Sequence, residues 1–70
     1  MKRREVIDRL RVAAKKNGLA FWTGELTGHS EIRVGSTSHT LKRKTEIDET
    51  TVKKFFKQFN NELGEKWWMR

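Results

Sequence analysis

His29 sits in the segment Thr27-Gly28-His29-Ser30, ahead of two short strand-like runs, in a chain with no cysteine and a formal charge of +7. An imidazole titrates near ~6.5, so it can take or give a proton at cellular pH. A cation-rich surface can hold a polyanion. Together these groups suit RNA cleavage by the 2′-hydroxyl route: a base draws the ribose proton, cations stabilise a dianionic phosphorane, and an acid protonates the leaving 5′-oxygen. Arg33, whose guanidinium matches phosphate geometry, and the run Lys42-Arg43-Lys44 are the candidate cations. Each has a plainer reading as well. His29 can be a turn residue without chemistry, and the basic run a solvated loop that keeps a sheet edge from pairing. His39, at alternating strand spacing, reads as a cross-strand neighbour more readily than as a second proton-transfer group. Ser30 has no orienting carboxylate indicated, and sequence neighbours rarely present their functional atoms to each other, so an acyl-transfer nucleophile is not expected. Two histidines with no acidic cluster at ligand spacing argue against a metal site. Without cysteine there is no thiolate chemistry and no cysteine-ligated zinc.

Those side chains must be positioned by a very small body. Seventy residues make one domain, 1–70, with a marginal core and no disulfide staple. Sixteen Lys and Arg against nine Asp and Glu favour nucleic acid, an anionic membrane surface or an acidic protein as partner. No apolar run is long enough to span a bilayer. Met1-Lys2-Arg3-Arg4 leads straight into an amphipathic helix pattern instead of an apolar signal block, so a soluble, cytoplasmic chain is expected.

Val6, Ile7, Leu10, Ala13 and Ala14 form one helical stripe that predicts a helix from Arg3 to about Asn17, stopped at Gly18. From Leu19 to Leu26 the period falls to two, with Phe21 and Trp22 on opposite sides, and a strand is expected until Thr27-Gly28. Ile32 and Val34 predict a second strand, and Thr37 to Leu41 a third, joined by a tight hairpin at Gly35-Ser36. Asp48 is the expected N-cap of a last helix whose stripe is Val52, Phe55, Phe56, Phe59 and Leu63, ending at Gly64. Both helices need an apolar partner, and one face of the sheet is the one available. The fold class expected is therefore α+β: a two-layer sandwich, α-β-β-β-α, with a three-stranded antiparallel sheet. The short Trp-rich tail, about 64–70, is left over, and its paired Trp67 and Trp68 suit packing on the domain, base stacking or partner docking.

This order of elements, with Gly28-His29, the hairpin around Gly35, the run from Leu41 to Glu49 and the Lys53-Lys54-Phe55-Phe56 helix, resembles the HicA toxins. These are the small mRNA interferases of HicBA toxin–antitoxin pairs, with a fold like that of double-stranded RNA-binding domains. The resemblance covers Met1 to about Leu63. Gly28 directly precedes His29 where the family often has Gly-x-His, Lys42 stands at the usual proline, and Ile32 replaces a common aromatic. The resemblance implies that His29 is the catalytic residue of a metal-independent, cofactor-free endoribonuclease that cuts mRNA and halts translation. It also implies a HicB-like antitoxin that covers His29 and the cationic surface. A non-catalytic RNA- or DNA-binding module of the same fold is the alternative. A pure protein-interaction domain explains neither the histidine turn nor the basic run.

Overall fold

Val6, Leu10 and Ala14 recur every four residues and are fully buried along α1 (Arg3–Lys16) of the computed structural model, which describes residues 1–69. Lys15 and Lys16 lie at the negative end of that helix, and Gly18 turns the chain at φ +66°. Three strands follow: β1 (Phe21–Leu26), β2 (His29–Val34) and β3 (Thr37–Lys42), antiparallel and in spatial order 1-2-3. Both connections are two residues long. Gly35, at φ +59°, fills the first turn position that a type II′ hairpin reserves for positive φ. Gly28 does the same at the second position of Thr27-Gly28, at φ +74°.

Strand alternation divides the sheet cleanly. Ser30, Ile32 and Val34 of β2 and Leu41 of β3 are buried beneath the helices. The other face presents Trp22 and Leu26 of β1, His29 and Arg33 of β2, and Ser38 and Lys42 of β3, all exposed. Phe21 and Trp22 thus part as the alternation predicts, with Phe21 packed against the core.

Asp48 caps α2 (Glu49–Lys57): its carboxylate accepts from the Thr51 N–H at 3.0 Å and from the Thr51 hydroxyl at 2.7 Å. These bonds hold the Asp48 carboxyl below its ordinary value. Here the structure departs from the single helix that the apolar stripe predicts. The helix is interrupted at Gln58 and Phe59 and resumes as α3 (Asn60–Leu63). The Gln58 and Phe59 N–H groups reach only three residues back, to the Phe55 and Phe56 carbonyls at 3.1 Å, a turn of 3₁₀ type. Phe59 then sits fully buried, edge-on to Phe55 at 5.3 Å and to His39 at 5.2 Å.

The tail packs back onto the domain. Trp67, in a 3₁₀ turn over Trp67–Met69, is buried against Phe56 at 4.7 Å, and its indole Nε1–H donates to the Phe56 carbonyl at 3.0 Å. Trp68 is partly buried beside it, and Arg70, the end of the tail, lies outside the described residues. The N-terminus is tied to a distant part of the chain. Lys2 bridges to Glu46, the Arg3 N–H donates to the Thr45 carbonyl at 2.9 Å, and the Ile47 N–H donates to the Met1 carbonyl at 2.9 Å. The start of α1 is therefore fixed beside the β3–α2 connection. No helix among the described residues is long and apolar enough to cross a membrane.

Candidate nucleic-acid interface

The β1–β2 register pairs Leu26 with His29 across Thr27-Gly28, which makes His29 the first residue of β2 and not part of a loop. Its partner on the other side is Lys42, which ends β3. The Gly28 carbonyl accepts from the Arg43 N–H at 3.3 Å, so residues 28 and 43 form a hydrogen-bonded rung and His29–Lys42 a non-hydrogen-bonded one. Side chains stand closest at such a rung, with α-carbons about 4.5 Å apart. The imidazole and an ammonium group thus share one exposed corner of the open face.

The ring is oriented as well as exposed. Its Nδ1 lies 3.4 Å from the Thr27 carbonyl oxygen, a group that can only accept. The neutral tautomer that makes this contact has its proton on Nδ1 and leaves the Nε2 lone pair bare. That nitrogen is the one able to take a proton from a bound hydroxyl.

Behind the rung, on the helix side, a polar network holds the corner in place. Ser30 is completely buried, and its hydroxyl lies 3.1 Å and 3.2 Å from the two oxygens of the Glu25 carboxylate. Arg3 of α1 donates to both Ser30 Oγ and Glu25, and the Arg43 Nε sits 3.2 Å from the same carboxylate. Partial desolvation raises the Glu25 carboxyl. The hydrogen bonds from Ser30 and Arg3 and the charges of Arg3 and Arg43 outweigh that effect and hold it below its ordinary 4.5. One carboxylate of β1 thereby joins α1, the strand that carries His29 and the exit of β3.

Around the end of the sheet from His29 lies a groove of about 360 Å³ lined by Lys2, Arg3, Arg4, Arg43, Lys44 and Thr45. Five of the six are cations. Arg3 and Arg43 are paired with Glu25, whereas Lys2, Arg4, Lys42 and Lys44 make no ion pair among the described residues. The first turn of α1 points its positive end here and has no side-chain cap.

The candidate residues are accordingly divided among three places. His29 and Lys42 share the open face, Arg43 and Lys44 turn into the groove, and Arg33 stands apart. Arg33 is four residues from His29 along β2, about 13 Å at ~3.3 Å per residue. It is engaged with Glu31 at 3.4 Å and lies over the Trp22 ring at 5.3 Å, so it does not grip the same phosphate as His29. His39 is on the helix side against Phe59, and Ser30 is on that side too, so neither can work with the His29 ring. Lys2 and Arg4 join the candidate interface although local sequence marks them only as polar residues at and before the start of a helix. Their partner Lys44 is some forty positions away in a chain of 70, and only the fold joins them. The burial of Ser30 had a sequence signal: the inward alternation of Ile32 and Val34, carried back two residues, reaches it. No family model, no curated protein and no solved structure matches the chain.

Proposed function

We propose that the chain is a HicA-like toxin: an endoribonuclease of the cytoplasm that cuts mRNA without a metal, with His29 as general base. The observation that supports this reading is the corner itself, an exposed imidazole with its Nδ1 near the Thr27 carbonyl, on a residue paired directly with Lys42. His29 Nε2 takes the proton of a ribose 2′-hydroxyl, and the 2′-oxygen attacks the adjoining phosphorus. The bond from phosphorus to the 5′-oxygen breaks, leaving a 2′,3′-cyclic phosphate and a 5′-hydroxyl. In this reading Lys42 stabilises charge on the phosphoryl oxygens and protonates the leaving oxygen. Flanking phosphates run round the sheet end into the Lys2, Arg4 and Lys44 groove. A HicB-like antitoxin, acidic enough to complement +7, would cover the same corner.

The test is induced expression together with an assay of RNA cleavage. Wild-type protein should arrest growth and cut RNA in EDTA, and His29→Ala should do neither while retaining RNA affinity. A second reading, a non-catalytic RNA-binding module, is favoured by one observation: the other histidine faces the opposite side of the sheet. It predicts salt-sensitive binding by both proteins and no cleaved product from either.

A further inference from the structure

Trp22 is half exposed on the open face, 50 % accessible in a chain whose other large aromatic rings are buried or partly buried. It does not stand away from the sheet. The indole lies along β1 over Gly24, so close that a β-carbon at residue 24 would overlap the ring. Glycine at that position is what leaves room for the outer edge of the ring. Arg33, directly across the ladder, brings its guanidinium to 5.3 Å from the ring centroid and is itself oriented by Glu31. A half-exposed indole with a guanidinium 5.3 Å over its centroid offers the aromatic and cationic groups on which unpaired nucleobases stack. Its distance from the proposed chemistry is also apt. Gly24 is two residues from the Leu26–His29 rung, about 7 Å along the strand and one strand spacing across, which puts the ring roughly 8 Å from His29. A nucleotide whose phosphate lies at His29 and Lys42 reaches that plane with its base.

We infer that Trp22, seated on Gly24 and flanked by Arg33, is a base-stacking subsite that holds one unpaired nucleobase next to the bond cut at His29. It rests on the RNA reading of the open face and adds a substrate class: single-stranded RNA, with the base splayed onto β1. Duplex RNA, whose bases are stacked in the helix, gains nothing from the subsite.

The experiment uses a fluorescein-labelled single-stranded oligoribonucleotide and its duplex, bound to full-length protein with His29→Ala to prevent turnover. Adding Trp22→Ala should weaken single-strand binding about 5- to 150-fold, the range for loss of one base–aromatic stack, and leave the duplex unchanged. Trp22→Leu keeps an apolar cover on Gly24 but has no π face, and should behave like Trp22→Ala. Trp22→Phe should restore most of the affinity. Replacing one nucleotide by an abasic residue should weaken the Trp22 protein at one position and have no effect there on Trp22→Ala. Single-strand affinity within twofold of the parent in folded Trp22→Ala and Trp22→Leu overturns the subsite, as does an equal loss on duplex. Failure of the nuclease reading looks different: wild-type protein then cuts no RNA, while the Trp22 pattern on single strands still holds.

Discussion

The cationic rim of the sheet end predicts a particular dependence of RNA affinity on salt. Lys2, Arg4, Lys42 and Lys44 are the four cations there without a carboxylate partner, whereas Arg3 and Arg43 share the one carboxylate of Glu25. Each phosphate contact releases condensed counterions, and on a single strand each contributes about −0.7 to the slope of log K against log salt. Four contacts therefore give a slope of about −2.8, a loss of roughly 50-fold in affinity between 50 and 200 mM salt. Replacing Lys42 and Lys44 by Gln removes two contacts without adding repulsion, so the slope should fall to about −1.4 and the loss to roughly 7-fold. Fluorescence anisotropy on a labelled oligoribonucleotide, titrated at several salt concentrations in the His29→Ala background, measures both slopes. The exposed α2 lysines give the control: Lys53→Gln with Lys57→Gln should leave the slope unchanged. If the Lys42 and Lys44 pair leaves the slope at the parent value, or the α2 pair reduces it as much, the phosphate path lies elsewhere.

Other outcomes concern the scaffold. Trp67→Ala removes a buried indole from Phe56 and should cost about 3–5 kcal/mol in urea unfolding, a large share of the ~4–10 kcal/mol expected for a domain this size. Trp67→Phe should cost only about 1 kcal/mol, since the Phe56 carbonyl still accepts from the Phe59 N–H; a change under ~0.5 kcal/mol for both would mean that the tail is not docked. The Glu25 and Asp48 carboxyls are depressed in the folded state, so the unfolded chain binds more protons and stability rises with pH. Their contribution is present above about pH 4.5 and is lost as pH drops through the folded values. Glu25→Gln should flatten the acid limb of a Tm-against-pH curve, and an unaltered limb would show that the Arg3–Ser30–Glu25–Arg43 network adds nothing to stability.

Much of the architecture was legible because it is local. The Val6–Leu10–Ala14 stripe, the Gly35-Ser36 hairpin, the Asp48 cap and the Gly64 stop each follow from residue types within one or two turns of chain. The break at Gln58–Phe59 was not legible, because neither residue is a helix breaker and the interruption serves the burial of Phe59 against His39 and Phe55. His29 was identifiable as the one histidine with plausible chemistry. Its setting was not, since it depends on register. A two-residue hairpin at Thr27-Gly28 places His29 in the strand and opposite Lys42, and a slip of one residue would bury it. The same parity splits Lys42-Arg43-Lys44, which looks like one cationic run in the sequence, between two faces. The Glu25 network brings together Arg3 and Arg43, 40 positions apart, a connection that pattern in one dimension does not reveal.

The claim at the centre is that the His29 Nε2 removes the proton of a ribose 2′-hydroxyl. The direct measurement is mass-spectrometric analysis of the ends formed when wild-type protein, in EDTA, meets an oligoribonucleotide and its counterpart with a single 2′-deoxy residue at the cut site. The account predicts 2′,3′-cyclic phosphate and 5′-hydroxyl ends from the ribo-oligonucleotide, no cut in the deoxy one, and a rate at least about 10²-fold lower in His29→Ala. Cleavage of the deoxy oligonucleotide, ends bearing 5′-phosphate, or an undiminished rate in His29→Ala would contradict it.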